Sequence, residues 1–482
     1  MNGMAALLRP DAISASSIAR ARRDAATQRT PFGPLMQTAR FDTTSHGVVE
    51  LPIQAPLPML WIAMSASARF ARYVRDAIDV EGMPSVEKPW RIAFYCDQVT
   101  VGAALRTDNR RKIEAVYWSI VELGALALGD ELCWFEIASF RTSEVLVLES
   151  QMSHVLEVCA LQFFDTAGFD LRTGLAFDVM ELGMFLLFAI FGMFIADVKA
   201  LVEVVRAMGP TGVKCCFLCH NVISKQHWHT AAKSVRDVCV TELDLAKCGC
   251  HSNASLASVF QLLSDQIGVM SSDDFPRLQT RLGYKHGRNL VLNADLAIKV
   301  IDTFLFDFMH LFFVGGCFNL EAFALLHALV RARKAFTYNT CLGFLERWIV
   351  PKHCPTIKGV CTKKHLDAVI DAKSFKCTAS EGLTIYPLMH KFCADLVMPN
   401  GLCEKEVKSF ILMCQALDLL VACKCGKACT PEVLHRAILK WLVAHKDAYG
   451  DTLFKPKHHY TLHLAAMLRR FGLLPGCWVQ DL

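Results

Sequence analysis

The sequence lacks the features that would assign it at once to a membrane, repeat or strongly basic class. Its best candidate for a membrane span is the uncharged run of fifteen residues at 182–196, whereas a helix that crosses a bilayer needs roughly 20 apolar residues. No internal repeat or long low-complexity tract is recognisable. The net charge of +5 is too small to establish a nucleic-acid partner by itself. These absences favour a globular protein without a membrane partner, and a membrane-associated protein that uses residues 182–196 is the least favoured alternative.

Cysteine is abundant, whereas a secretory signal pattern is missing. The chain has 21 cysteines among 482 residues, and without a signal peptide this number indicates a reducing compartment rather than a disulfide framework. We expect most of the thiols to be buried as small apolar side chains. Near the N-terminus, Arg20, Arg22, Arg23 and Arg29 lie among Ala and Ser, which fits a transit peptide or, as we prefer, a solvated basic helix.

Two apolar runs each end at an aspartate. The pattern of a buried strand begins at Trp90 and is closed by Asp97, and the run at 182–196 is closed by Asp197. Open α/β sheets commonly present metal-binding carboxylates at the carboxyl ends of such strands. Since Mg²⁺ prefers oxygen ligands, we predict that Asp97 and Asp197 hold Mg²⁺ or Mn²⁺. The alternative is that each aspartate only caps the turn or helix that follows it.

The order of the predicted elements indicates a fold class. Strand patterns at 91–96, 112–123 and 131–140 precede a helix at 153–163, and the strand that ends before Asp197 precedes another helix. This is the order of the ribonuclease-H-like fold, whose adjacent parallel central strands bring Asp97 and Asp197 together. We therefore predict an α/β plus α protein with a ribonuclease-H-like mixed sheet core.

Beyond residue 220 the chain is mostly helical in pattern. Apolar spacing near 3.6 residues predicts helices at 303–314, 320–335, 340–350, 364–372, 380–397, 405–423 and 431–445. The predicted units are an irregular or helical N-terminal region (1–84), the ribonuclease-H-like core (85–210), a zinc-binding loop (211–255) and a helical insertion and C-terminal region (256–482).

Cys216 and Cys219 have the spacing of a zinc-binding pair. A closed tetrahedral site needs two more ligands, and a second cluster about thirty residues later supplies candidates. The predicted ligand set is Cys216 and Cys219 with members of the group Cys248, Cys250 and His251; the alternative partners are His227 and His229.

Three further segments carry candidate functional residues, each with a simpler alternative. Asp307 and His310 are one helical turn apart, as in a metal or phosphate site or a hydrogen-bonded pair in the core. Glu381 opens a predicted helix behind Thr378, where an acid is common for dipole reasons alone. The last segment could contact a phosphate backbone and stack on a base, or form a solvated basic turn; it contains Lys455, Lys457, His458, His459 and Tyr460.

Taken in order, these motifs resemble transposases of the CACTA (En/Spm-like) kind, and most closely the divergent transposase-derived proteins of dinoflagellates. The resemblance covers roughly residues 85–475. The first motifs are Asp97, Asp197 before Gly209-x-x-Gly212-x-Lys214-Cys215-Cys216-x-x-Cys219, and Asp307-x-x-His310 leading into Gly315-Gly316. Near the end of the chain the motifs are Lys457-His458-His459-Tyr460-x-Leu462-His463 and Arg470-Phe471-Gly472. The shared stretches are Thr280–Tyr284, Phe306–His310 and Phe375–Gly382.

The resemblance implies a nuclear DDE transposase that cuts and joins transposon-end DNA with Mg²⁺ or Mn²⁺, and it leaves a homo-oligomer open. It implies a catalytic core interrupted by a zinc loop and a helical insertion. Asp97 and Asp197 match the first two acids, Asp307 and His310 match an acid-x-x-His signature, and Glu381 is the choice for the third acid. Relatives continue past the Phe-Gly-x-Leu segment into an acidic-Arg-x-x-His stretch, where this chain has Gln480-Asp481-Leu482. A truncated, inactive copy is therefore also expected, as is the alternative of a non-catalytic, zinc-stabilised helical protein that binds DNA or protein.

Overall fold

The protein is described by a computed structural model covering residues 29–100, 112–166, 168–231, 233–332, 337–351, 354, 357, 360, 362–424, 427 and 429–472. Arg20, Arg22 and Arg23 of the predicted basic segment lie outside these residues. The mixed α/β architecture with a helical C-terminal region confirms the coarse fold class that the sequence predicts.

The strands, in chain order, are β1 (Arg29–Thr30), β2 (Gly33–Pro34), β3 (Met36–Asp42), β4 (Val48–Gln54), β5 (Trp90–Thr100), β6 (Lys112–Ile120), β7 (Phe135–Arg141), β8 (Leu175–Val179), β9 (Gly183–Leu187), β10 (Ala189–Ala196), β11 (Val222–Ile223), β12 (Val238–Cys239) and β13 (Phe304–Phe306).

The α-helices are α1 (Pro56–Ala66), α2 (Ala68–Glu81), α3 (Gly124–Leu128), α4 (Thr142–Val145), α5 (Met152–Phe164), α6 (Val198–Val205), α7 (Asn253–Gln266), α8 (Asp274–Leu282), α9 (Val300–Thr303), α10 (Phe308–Phe312), α11 (Cys317–Ala332), α12 (Tyr338–Glu346), α13 (Lys363–Ala372), α14 (Ala379–Phe392), α15 (Glu404–Lys424), α16 (Pro431–Tyr449), α17 (Pro456–Thr461) and α18 (Leu464–Phe471).

A five-stranded mixed sheet forms the centre of the fold, in the order β13-β10-β5-β6-β7. Strands β5, β10 and β13 are parallel to one another, whereas β6 and β7 continue from β5 as an antiparallel meander. Parallel neighbours need a crossover connection. Helix α5 and the hairpin β8–β9 lie in the crossover from β5 to β10, and α6 begins the long crossover from β10 to β13.

Strand β10 shows why this segment becomes the middle of the sheet. All of its residues except Ile190 are buried, as expected for a parallel strand that is covered on both faces. At Gly192 the pairing with β5 shifts register, and a Cβ there would lie 2.1 Å from the Cβ of Arg91. Glycine therefore permits the bulge that brings the two strands into close contact.

Several predicted elements are confirmed and others need correction. The meander β5–β6–β7, helix α5 and the C-terminal helices appear where the sequence predicts them. In the described part of the predicted irregular or helical region, residues 29–84, there are two helices, and the antiparallel hairpin β3–β4 was not predicted. The predicted helix at 303–314 instead begins with strand β13, which completes the sheet.

The apolar run at 182–196 forms β9 and β10 and is not a membrane-spanning helix. Within the described residues, one stretch, 308–332, has the length and apolar character of a membrane span, and 61% of its most apolar window is buried inside the protein. A core helix has the same properties. All cysteines in the described part of the chain are free thiols, and most are buried, as predicted.

Candidate functional site

Three aspartates follow the same edge of the sheet. Ala196 of β10 is paired with Cys96 on one side and with Phe306 on the other. Because the carboxyl ends of parallel strands meet at one edge, the residues that come next on the three strands lie in one row: Asp97, Asp197 and Asp307. The expected adjacency of the strands that carry Asp97 and Asp197 is confirmed, and β13 adds Asp307 beside them.

Asp97 and Asp197 are both held by main-chain amides. Oδ1 of Asp197 accepts the amide of Ala200 at 2.6 Å, which caps helix α6. Oδ1 of Asp97 accepts the amide of Gln98 at 2.7 Å, and its Oδ2 accepts the hydroxyl of Tyr95 at 3.3 Å. The capping role considered for Asp197 is thus present. It uses one carboxylate oxygen of that residue, and Asp197 also lines the large cavity beside the edge.

Asp307 and His310 form a buried pair. Nδ1 of His310 lies 2.7 Å from Oδ2 of Asp307, whose Oδ1 accepts the amide of Met309 at 2.8 Å. Burial opposes protonation of His310, but the hydrogen bond to Asp307 and the charges of Asp307, Asp197 and Asp97 outweigh it and raise the pKa of the imidazole. The three aspartates therefore favour the protonated form of His310.

The pKa of the Asp97 carboxyl is also raised, and here burial is the main cause. Burial raises its pKa, the charge of His310 and the amide of Gln98 oppose that rise, and the charge of Asp197 adds to it. Two carboxylates that repel each other in a partly buried place favour a cation between or beside them. Glu203 lies on α6, the helix that Asp197 caps. Burial raises the pKa of Glu203 as well, and the charges of Glu114 and Asp197 add to the rise.

A cavity of about 1360 Å³ opens at this edge, with Asp197, His310 and Glu203 on its wall. The remainder of its charged lining is mostly basic: Lys199, Arg206, Lys285, Arg331, Lys373, Lys455 and Lys457, with Glu406 as the other acid. Lys457 reaches furthest inward, since its amine donates to the carbonyls of His310 at 2.8 Å and Val314 at 2.7 Å. Burial lowers the pKa of Lys457, while the charges of Cys317, Asp197 and Asp307 act against that change.

A second cluster is a buried Cys2His2 group that could bind a metal ion such as zinc. It consists of Cys216, Cys219, His459 and His463, whose ligand atoms all lie within 4.8 Å of one another. Within the described residues this is the one such group of three or more ligands; the aspartates of the sheet edge are spaced more widely. Cys216 and Cys219 come from the loop after α6, and the two histidines come from α17 and the residue before α18.

Three distances within this cluster match those of a tetrahedral zinc site. Nε2 of His463 lies 3.6 Å from each sulfur and 3.3 Å from Nε2 of His459. Zn–S bonds of about 2.3 Å and Zn–N bonds of about 2.05 Å at tetrahedral angles separate the ligand atoms by about 3.6 Å (S to N) and about 3.3 Å (N to N). Burial opposes ionisation of Cys216, but the Cys219 hydrogen bond and both imidazoles lower its pKa, which favours the thiolate that binds metal.

The Cys2His2 group is joined to the sheet edge by aromatic packing. Tyr460 lies between the two histidines in sequence, and its ring stacks on Phe306 of β13 with centroids 5.0 Å apart. Its hydroxyl donates to the carbonyl of Cys215. Helix α17 therefore carries one member of the group, His459, together with Lys457, whose amine donates to the carbonyl of His310.

The structure places two of the five predicted zinc ligands in the Cys2His2 group. Cys216 and Cys219 belong to the group, whereas Cys248, Cys250 and His251 do not. Cys250 is close, because its backbone pairs with Cys219, and a hydrogen bond to Cys219 lowers its pKa to about 6. Nδ1 of His251 lies 3.0 Å from the hydroxyl of Ser255. The two histidines of the group are four residues apart in the sequence, on either side of the turn between α17 and α18, and this short spacing is the signal that the sequence offered.

The predicted nucleic-acid segment is wrong for three of its five residues. His458, His459 and Tyr460 are fully buried, so they cannot reach a phosphate or a base. The reason is that α17 packs its aromatic face against β13 and the Cys2His2 loop. Lys455 and Lys457 do line the cavity at the sheet edge.

Glu381 is not brought into the row of aspartates. It forms a capping box at the start of α14: its carboxylate accepts the amide of Thr378 at 2.7 Å, and its amide donates to the hydroxyl of Thr378. No hydrogen bond or ion pair in the described part of the chain joins it to Asp97 or Asp197. The simpler interpretation of Glu381 therefore fits the geometry, and Glu203 and Glu406 are the glutamates that line a cavity with Asp197.

The chain matches no protein-family model and no curated protein. The sheet edge and the Cys2His2 group are the features that bear on its function.

Proposed function

We propose that the protein is a transposase-like polynucleotidyl transferase, which cleaves and joins DNA strands at a Mg²⁺- or Mn²⁺-dependent acidic site, or a copy that keeps this architecture without the activity. The observation that carries the proposal is the row formed by Asp97, Asp197 and Asp307 at one register on three adjacent parallel strands. Such a row concentrates carboxylates where phosphodiester chemistry needs them.

The topology supports the same proposal. In chain order, the strands of the main sheet are a three-stranded meander followed by two strands parallel to the first, and the first and fourth are neighbours. This order is that of the ribonuclease-H-like fold, to which we assign the core. The resemblance to CACTA-type transposases rests on the same positions.

The side chains at the edge fit a hard divalent cation. Asp97 and Asp197 offer carboxylate oxygens, which Mg²⁺ and Mn²⁺ prefer, and the raised pKa of Asp97 marks an acid whose negative charge is not fully balanced by the protein. Mg²⁺ keeps several waters and takes few protein ligands, so two carboxylates would be sufficient protein ligands for it. Bound there, the ion would supply an activated oxygen nucleophile and charge stabilisation for phosphodiester cleavage.

The neighbouring groups have roles that follow from their positions. His310, held by Asp307, presents an imidazole with a raised pKa that can donate a proton or a hydrogen bond to a phosphate oxygen. Lys457 orients the turn after His310 by binding its carbonyl and that of Val314. The basic wall of the cavity attracts the polyanionic substrate.

The Cys2His2 group is proposed to hold a structural zinc ion. All four positions are filled by protein ligands, which is the pattern of a structural rather than a catalytic zinc site. Its place between the loop after α6 and the helices α17 and α18 ties chain segments more than 240 residues apart. This observation equally favours the second candidate, a non-catalytic, zinc-stabilised protein that binds DNA or protein.

A nicking assay distinguishes the two candidates. Supercoiled plasmid is incubated with the full chain and Mn²⁺ or Mg²⁺, and relaxed product is quantified for the wild type, Asp97→Asn and Asp178→Asn. Asp178 is exposed on β8, so its variant is the matched charge control. We expect metal-dependent nicking that falls to background in Asp97→Asn and persists in Asp178→Asn. Equal nicking in wild type and Asp97→Asn rejects the catalytic assignment, and no nicking by any protein leaves the zinc-stabilised binding protein.

A further inference from the structure

A second cavity, of about 910 Å³, lies outside the sheet edge and has an unusually basic lining. One wall is the face of α8 that carries Arg277 and Arg281, four residues apart and therefore on one side of the helix. The opposite wall is the segment at 233–237, with Lys233 and Arg236. We call this cavity the basic groove. Lys233, Arg236, Arg277 and Arg281 are all solvent-exposed.

The positive charge of the basic groove is not cancelled inside the protein. Its one acid, Asp237, is largely buried and is neutralised by Lys214, with Nζ and Oδ1 3.2 Å apart. Arg277 has only a solvent-exposed pair with Asp274 at 3.4 Å, which contributes little. In the described residues, no ion pair is formed by Lys233, Arg236 or Arg281. The whole chain has a net charge of only +5. Four exposed cations in one groove are therefore a concentrated positive surface.

The basic groove borders the same loop as the cavity at the sheet edge. Met208, Gly209 and Pro210 line the edge cavity, and Val213 and Lys214 line the groove. On the other side, Arg281 belongs to the groove and Lys285 to the edge cavity. Two main-chain hydrogen bonds join the segment at 206–208 to the segment at 283–285. The amide of Met208 donates to the carbonyl of Gly283, and the amide of Lys285 donates to the carbonyl of Arg206. A chain of phosphates could thus pass from one cavity to the other over a rigid rim.

We propose that the basic groove binds the phosphate backbone of duplex DNA next to the stretch that enters the sheet-edge cavity. The inference rests on the proposed function, because the choice of DNA among polyanions comes from the acidic edge. It replaces the DNA contact predicted for residues 455–460, whose histidines and tyrosine are buried. Guanidinium groups on two facing walls suit phosphate oxygens, which they bind in a bidentate manner, and such contacts position DNA without reading its sequence.

The test measures DNA binding by the full chain, without divalent metal, as a function of salt. The groove variant is Lys233→Gln/Arg236→Gln/Arg281→Gln. The control is Arg72→Gln/Arg436→Gln/Lys440→Gln, which removes three exposed cations from α2 and α16 and so lowers the net charge by the same amount. A 30-base-pair duplex of arbitrary sequence is the probe, and a single-stranded RNA of equal length is the competitor. Each phosphate contact contributes about 0.9 to the slope of log K against log salt concentration.

We expect the groove variant to lose about 2–3 from that slope and at least tenfold in affinity at low salt. The control should change the slope by less than about 0.9, the contribution of one phosphate contact, and the affinity by less than about threefold. Equal changes of salt slope and affinity in the groove and control variants would overturn the proposal that the basic groove binds DNA. RNA that displaces the duplex at lower concentration than unlabelled duplex overturns the choice of DNA. Failure of the wild type to bind any duplex counts against the proposed function itself, and it is distinguished from failure of the groove because the control variant then shows no binding either.

Discussion

His310 is held through its side chain by Asp307 and through its main-chain carbonyl by Lys457. Nδ1 of its imidazole lies 2.7 Å from Oδ2 of Asp307, and its main-chain carbonyl accepts the amine of Lys457 at 2.8 Å. Asp307 comes directly after β13, and Lys457 belongs to α17, which also carries His459 of the Cys2His2 group. The surroundings of His310 therefore depend on the packing of α17 as well as on the sheet.

Asp97→Asn is expected to stabilise the metal-free protein at neutral pH. The folded-state pKa of Asp97 is raised by burial, so the folded state binds more protons than the unfolded state, whose pKa is about 3.9. Stability is then lost as pH rises through that window and stays lower at pH 7. Thermal melts in EDTA should show a higher Tm for the variant.

The same melts test metal binding. Wild-type protein at ten times the Kd for Mg²⁺ or Mn²⁺ should gain about 1.4 kcal/mol, whereas Asp97→Asn should gain much less. Each ion is added up to about 20-fold above the physiological Mg²⁺ concentration, which is on the order of 1 mM. A wild-type Tm that does not change with either ion would contradict the proposed cation site.

Asp197 combines a cap with a proposed metal ligand, and two substitutions separate these roles. Asn remains a good N-cap, so Asp197→Asn should fold as well as the wild type, while Asp197→Ala should lose about 1 kcal/mol of unfolding free energy. Both should lose metal-dependent nicking. Urea denaturation gives the first quantity; retention of nicking by Asp197→Asn would show that the residue is only a cap.

The Cys2His2 group should contain about one zinc ion per chain, measured by elemental analysis. Cys219→Ser should lose the ion and several kcal/mol of stability, because a structural zinc contributes directly to folding. Cys248→Ser is the matched control, since Cys248 is also a buried thiol of the same loop but lies outside the group. Zinc loss in Cys248→Ser with retention in Cys219→Ser would invert the assignment.

Lys457→Met should lower the stability of the segment after His310 without changing the Cys2His2 group. The variant keeps the apolar stem but removes two hydrogen bonds from a charged donor, at a cost of about 2 kcal/mol in total. Lys455→Met, at an exposed residue of the same cavity, is the comparison. We expect full zinc content in both variants and a lower Tm with reduced nicking in Lys457→Met alone; equal melts of the two would show that the contacts of Lys457 contribute nothing.

His154 predicts a pH dependence of stability that is separate from the site. Burial lowers its pKa, and Arg288 adds to this, while Glu157 and Asp42 oppose it. Because the unfolded histidine titrates near about 6.5, the unfolded state binds more protons below that pH, and stability falls as pH drops through this range. His154→Phe should flatten the fall relative to the exposed control His229→Phe, in urea melts at pH 5.5 and 7.5. An unchanged slope would remove His154 as the cause.

Much of the sheet could be predicted because its signals are local. The apolar runs before Asp97 and Asp197 consist of buried residue types, and their order along the chain limits the topology. The prediction that Asp97 closes its strand is wrong, because β5 continues to Thr100 by pairing with β6. The fifth strand escaped prediction because it has only three residues, Phe304–Phe306, and runs into a helix with the same apolar spacing. Its pairing with β10, and not its own sequence, makes it a strand.

The sequence by itself determined where the longer apolar strands and most of the C-terminal helices form, and it marked Cys216, Cys219 and the aspartates, since burial pattern and ligand chemistry are properties of short segments. Only the tertiary structure decided which distant groups meet. It chose His459 and His463 over Cys248, Cys250 and His251 as partners of the two cysteines, buried the predicted DNA-contacting histidines, and kept Glu381 in a helix cap. These choices depend on the packing of α17 against β13, a contact between segments about 150 residues apart, which local patterns do not encode.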